Sequence, residues 1–205
     1  MTDTAQTASE TRDVDKRVER SRTALVSTLL DLMAEKPYSK ISVANICESS
    51  GVARPTFYLH FRSKDDLLRF YIEQLFTEFA KQIDPLLSAS PHVDPKIAVL
   101  MFQQWKDHGA VAKLLVEEGV EAILLNEFKR YVGDIIDRYI EVHNVRIDSA
   151  GRLRYVIDYL AGASFSVIVR WVREDFKEDP VMLAELYSEL SRPGLVSVMM
   201  SGRLL

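Results

Sequence analysis

Apolar residues return at helical spacing along most of the chain, and nowhere do they keep the period of two that a half-buried strand requires. Leu25, Leu29, Leu32 and Met33 fall at i, i+4, i+7 and i+8, and Leu67, Leu68, Tyr71, Leu75, Phe79 and Ile83 continue the theme. That pattern predicts an all-α protein. Its punctuation predicts the element boundaries: Pro37 closes a first helix begun near Val14, and Ser42 caps a short one from Val43 to about Ser49. Gly51 makes a turn into a second short helix from about Arg54 to His60. Ser63, with Asp66 three residues on, caps a long helix that Pro85 is expected to end. After a Ser/Pro/His linker, LLSASPHVDP, helices are expected near 95–108, 111–117, 119–142, 149–176 and 180–191. Gly109, the Asn144 region, Pro180 and Pro193-Gly194 supply the breaks. The organisation read from this is a disordered tail over 1–13, a three-helix head over 14–62, and a helical body over 63–205, entered through a long fourth helix.

The 47% hydrophobic content is enough for a sizeable core without disulfides or metal. The single cysteine, Cys47, excludes an intrachain disulfide framework. The N-terminal MTDTAQTASETRDVD has no apolar core of a signal peptide, and no run approaches about 18 uninterrupted apolar residues. A cytoplasmic chain without a membrane span is the expectation. Its net charge of −4 is unevenly spread: residues 16–64 carry nine Lys or Arg against four acids, so that segment nets +5 and the remainder −9. A basic head on an acidic body is what a chain needs when one end meets a polyanion.

The stretch ISVANICESSGVARPTFYLHF has the dimensions of a helix-turn-helix. Val43, Ile46 and Cys47 supply the inner face of its first helix, and Val52, Phe57 and Phe61 hold the second. Pro55 fits the first helical turn, where a missing N–H costs nothing. The polar residues fall outside. Arg54 and Thr56 stand at the N-terminal end of the second helix, the end that meets base edges when such a helix enters a major groove. Tyr58 and His60 lie further round, in reach of flanking phosphates, and Lys64 sits in the first turn of the next helix, where a cation opposes the helix dipole unless it serves a phosphate.

The run SVANICESSGVARPTFYLHFRSKDDLL resembles the DNA-binding head of TetR-family transcriptional regulators. Thr56-Phe57-Tyr58-Leu59-His60-Phe61 matches that family's T-[FLI]-Y-x-[HY]-F core, and Lys64-Asp65-Asp66-Leu67 its K-[DE]-x-L continuation. The resemblance implies that Ser42 is a phosphate-contacting N-cap, that Arg54, Pro55 and Thr56 read bases, and that Tyr58, His60 and Lys64 hold phosphates. It implies, further, a homodimer on a palindromic double-stranded operator, released when a small-molecule effector, apolar or aromatic, binds the body. On the helices that enclose such a ligand in the family lie Tyr71, Phe102, Trp105, His108, Phe128, Tyr155 and Tyr159.

The last two long helices are apolar on more than one face, as an interface requires. Leu160, Ser164, Val167, Ile168, Trp171, Leu183, Leu186, Tyr187 and Leu190 are the expected dimer contacts, with Ala161-Gly162-Ala163 permitting close helix approach. The alternative reading is a helical module that docks on protein or RNA. His60, His92, His108 and His143 show no metal-ligand spacing, no cofactor motif is present, and no catalytic constellation stands out. Cys47 is read as packing between the two short helices, with a redox role as the alternative.

Overall fold

The computed structural model describes the backbone at 3–89, 94–145 and 150–200, and the side chains at 16–89, 94–145 and 151–194. His92 and the middle of the expected linker lie outside the described residues. Among those residues every regular element is helical: α1 (Asp3–Glu35), a 3-10 turn (Tyr38–Lys40), α2 (Val43–Ser50), α3 (Arg54–His60), α4 (Lys64–Ala89), α5 (Lys96–Asp107), α6 (Gly109–Glu117), α7 (Glu121–His143), α8 (Ala150–Arg173) and α9 (Pro180–Met200). They form two compact units, 1–71 and 72–205, with the division falling inside α4.

Three boundaries differ from the sequence expectation, each for a reason of helix chemistry. α1 is helical from Asp3, so the polar segment expected to be a disordered tail continues the helix. No Pro or Gly interrupts residues 3–35, and extending a nucleated helix costs far less than starting one. α4 runs through Pro85 to Ala89 and α9 through Pro193 to Met200. Pro85 stands in the last turns of α4, where the hydrogen bond it deletes is one of the last in the helix, whereas Pro193 lies about two turns inside α9, which continues past the one lost bond.

In the first unit, Leu25, Leu29, Leu32 and Met33 of α1 are buried, along with Ile46 and Cys47 of α2 and Phe57 of α3. The second unit packs α5 on α9 and α8 on α6 and α7. Its centre is a ring cluster in which Phe76 touches Trp105, Phe128 and Tyr131 at centroid distances of 6.0, 5.7 and 5.0 Å. Burial pushes the Tyr131 hydroxyl pKa well up, and that hydroxyl donates to the buried Gln104 side chain at 3.3 Å.

α8 is long and apolar enough over Gly151–Arg173 to cross a membrane by composition, with a mean hydropathy of 1.2, although Asp158 and Arg170 interrupt its apolar run. Its apolar residues serve a core: Leu160, Ala161, Phe165, Ile168, Trp171 and Val172 are all buried in the protomer. The turn into α9 is held by the Trp171 indole N–H, which donates to the Glu178 carbonyl at 3.0 Å, and by Asp179, whose Oδ1 accepts from Val181 N–H at 2.7 Å.

Candidate nucleic-acid interface and ligand cavity

The turn between α2 and α3 is built from the ends of two short helices. Ser42 caps α2 reciprocally: its Oγ accepts from Asn45 N–H at 3.2 Å and Asn45 Oδ1 accepts from Ser42 N–H at 3.1 Å. Because Oγ is used as an acceptor, the hydroxyl proton is still available to an outside phosphate. Gly51 ends α2 at φ +70°, with open space where a Cβ would stand. Backbone conformation, not crowding, therefore demands glycine there. Pro55 lies in the first turn of α3, and Phe61 ends that helix with its N–H on Phe57 O at 2.9 Å.

Phe57, fully buried, fixes the roll of α3 and turns the opposite face outward. Arg54, Pro55 and Tyr58 are exposed, Thr56 and His60 partly so. Leu59 is 81% exposed, and the sequence reading missed it. The signal was in the spacing: two residues from Phe57 on a helix is roughly the opposite face. An apolar side chain presented there suits a thymine methyl.

Arg22 was missed as well. Its guanidinium stacks over the Phe70 ring at 5.4 Å, its Nε is buried without a hydrogen-bond partner, and its charge bears on His60. Burial first, and Arg22 second, lower the His60 pKa, so the imidazole is held neutral near pH 7 in the free protein. Cys47 is buried, and that burial raises its thiol pKa against the opposing pull of Arg54, so its chemistry is that of a packed side chain.

Lys64 is turned inward. Its ammonium donates to Tyr38 O at 2.6 Å and Ile41 O at 2.9 Å and stands 4.2 Å from the centre of the Tyr38 ring, while the Tyr38 hydroxyl donates to Asp65 Oδ1 at 2.5 Å. These bonds tie the start of α4 to the chain entering α2 and leave one of the three ammonium protons for a phosphate. Asp66 accepts from Arg62 N–H at 3.0 Å and Ser63 Oγ from Asp66 N–H at 3.1 Å, so the α4 cap forms one residue earlier on its acidic side than a strict capping box.

The aromatic residues named as pocket candidates, of which only some were expected to line a cavity, are not gathered around a single one. Phe102 and Phe128 are fully buried in the packed core, Tyr155 and Tyr159 are 75% and 60% exposed, His108 is exposed, and Tyr71 is half-buried in the first unit. Trp105 and His108 do border a cleft of about 10 Å³, room for about one water, and the buried Trp105 indole N–H has no partner. A more enclosed void than the open surface clefts, about 130 Å³, is walled mainly by aliphatic residues: Ile97, Ala98 and Met101 of α5, Val132, Ile135 and Ile136 of α7, and Leu160 of α8, with Tyr139 of α7 beside them. Leu87 of α4 closes one side, and Tyr187, Ser188 and Ser191 of α9 another, with Asp94 and Arg192 also bordering it.

The expected dimer contacts divide. Leu160, Ser164, Ile168, Trp171 and Leu183 are buried within the protomer and cannot face a partner, because α8 and α9 spend those faces on α5, α6 and α7. Val167 and Tyr187 are half-buried, whereas Leu186 and Leu190 are 46% and 70% exposed, alongside Met182. Among the described residues, no three His, Cys, Asp or Glu side chains gather as a metal site.

Comparison with known proteins adds three findings. Residues 25–69 match the model of bacterial regulatory proteins of the tetR family, and residues 95–193 that of a transcriptional regulator C-terminal region. The HTH-type transcriptional regulator EthR of Mycolicibacterium smegmatis is 29% identical over 123 residues, 57% of this chain; the match spans about half (54%) of that relative. Among solved structures, a putative TetR-family regulator from Syntrophomonas wolfei aligns at TM-score 0.60 with 18% identity, covering 84% of this chain and 95% of that one. FadR from Bacillus subtilis, solved with stearoyl-CoA, aligns at TM-score 0.54 with 19% identity, covering 82% and 96%.

Proposed function

The chain belongs to the TetR family of transcriptional regulators, and from that premise we propose that it is a cytoplasmic, ligand-responsive repressor that binds a palindromic operator as a homodimer. The observation that carries the reading is the outward row Arg54, Tyr58 and Leu59 on a helix pinned from behind by Phe57, in a segment of net charge +5. An anchored helix of that kind can lie in the major groove, while Ser42, His60, Arg22 and the remaining proton of Lys64 meet the phosphates either side. The docking-module alternative has no comparable support.

Partner contact falls to the exposed face of α8 and α9. Tyr155, Tyr159, Met182, Leu186 and Leu190 supply its apolar area. Gly162 has open space beside it, which lets a partner helix come close. The effector occupies the 130 Å³ cavity, whose wall includes Leu87 in the last turn of α4, the helix that begins at Lys64 in the first unit. Relief of repression then requires the effector to favour the DNA-incompetent arrangement over the competent one, whatever its absolute affinity.

Arg54→Ala is expected to cost about 1–3 kcal/mol of operator affinity and to relax selection at one position per half-site. Lys64→Ala is expected to weaken operator and random duplex alike, reduce the salt slope by about one, and lower the melting temperature as two carbonyl bonds are lost. Gel-shift titrations on both duplexes at several salt concentrations check this. Equal losses on both duplexes for both variants would contradict the division into base and phosphate contacts.

His60 gives a test by pH. Its pKa is lowered in the free protein, and a phosphate beside it raises that pKa, so DNA binding takes up a proton. Operator affinity should therefore rise as pH falls below about 7, by up to about tenfold per pH unit for each His60 of the dimer. His60→Gln should flatten that slope. The same lowered pKa makes a stability contribution that is present above the unfolded value near 6.5 and is lost as pH falls below it, so melting curves are recorded alongside.

A further inference from the structure

Resting on the reading of the 130 Å³ void as the effector site, we infer that the effector is a compact, uncharged, apolar molecule about the size of one substituted aromatic ring, and not a long-chain or anionic ligand. The size of the void sets the first limit. An apolar core cavity of about 150 Å³ holds benzene and stays dry when empty, whereas sites for larger ligands run to about 300–1,000 Å³. At about 130 Å³ this void belongs with the former.

Its walls set the second limit. Ile97, Ala98, Met101, Val132, Ile136 and Leu160 offer no polar side-chain atom. Two of the nearby hydroxyls are engaged within the protein: Ser164 Oγ of α8 donates to Leu160 O at 2.7 Å, and the Tyr187 hydroxyl of α9 bonds with Ser191 and Ser164. Ser188 and Tyr139 add the remaining hydroxyls of the wall, both half-buried at its border, so the polar groups stand at one side of a lining that is otherwise aliphatic.

Charge sets the third. Arg192 borders the void but is exposed, and Asp94 is engaged at the start of α5, where its Oδ1 accepts from Lys96 N–H at 2.9 Å. A ligand carboxylate drawn inside would lose its water and meet no buried cation. The void therefore selects for neutral, apolar, ring-sized molecules by volume, by its mainly aliphatic wall and by the lack of a buried charge among the described lining residues.

The test is titration of the purified full-length protein with toluene, benzoate and dodecanoate, read by the shift in melting temperature and by perturbation of the Met101 methyl resonance. Toluene should raise the melting temperature and shift Met101, while benzoate and dodecanoate do neither. Ala98→Leu, which fills the void, should weaken toluene binding by about tenfold or more. Leu160→Ala, which widens it, should admit naphthalene. Stabilisation by dodecanoate or benzoate with none by toluene would overturn the inference, as would toluene binding unchanged by both variants. Release of the selected operator by toluene is measured separately: toluene bound as described with DNA fully retained keeps the ligand class and removes the effector reading.

Discussion

Replacing Leu186 and Leu190 of α9 together by glutamate is expected to convert a dimer into a monomer and to reduce operator affinity by about a thousandfold or more. Both side chains are largely exposed in the protomer, at 46% and 70%, so their loss removes little from its own core. In a dimer each would bury about 1.5–3 kcal/mol worth of side chain. Four carboxylates brought together across a two-fold interface add a desolvation and repulsion cost, so the total passes about 4 kcal/mol, a thousandfold in equilibrium. Operator affinity follows because two half-sites are then held one head at a time. Sedimentation velocity at micromolar concentration measures the first effect and gel shift the second. A double variant that still sediments as a dimer would place the interface elsewhere.

Phe57→Ala is expected to do the reverse, leaving the dimer intact while abolishing specific DNA binding. Phe57 is completely buried, and its ring lies 5.4 Å from that of Tyr58 and 5.9 Å from that of Phe61. Truncating a buried Phe to Ala costs about 3–5 kcal/mol. That is a large share of what a small helical unit can muster. The loss falls on the unit formed by 1–71, while the side chains packing residues 72–205 are untouched. A separate, earlier melting transition in calorimetry, with unchanged sedimentation, is the expected pair of results. One cooperative transition shifted as a whole would mean that the units do not melt independently.

The helix-turn-helix was legible in the sequence because each of its parts has a local cause. Ser42 caps, Gly51 takes a positive φ, Pro55 suits a first turn, and Phe57 and Phe61 keep helical register. The body was legible as helices but not as faces. Periodicity shows that α8 is apolar on more than one face, yet it does not say which stripe meets α6 and α7 and which stays outside. Leu160, Ile168 and Trp171 went to the core, leaving the outer role to Tyr155, Tyr159 and Gly162.

The cavity was hidden for a related reason. Large rings such as Phe102 and Phe128 fill space, so the void opens among the smaller side chains of Ala98, Val132 and Ile97. Lys64 was placed correctly in sequence but not in orientation, since the carbonyls of Tyr38 and Ile41 that hold it come from 23 or more residues away.

The measurement that bears most directly on the whole account is selection of random double-stranded DNA on the purified protein near physiological salt. The account predicts a palindrome with half-sites about one helical turn apart or slightly more, with one base position per half-site losing its preference in Arg54→Ala. Recovery of no sequence, with DNA held only at low salt, would contradict it: the basic segment would then attract polyanions without reading them.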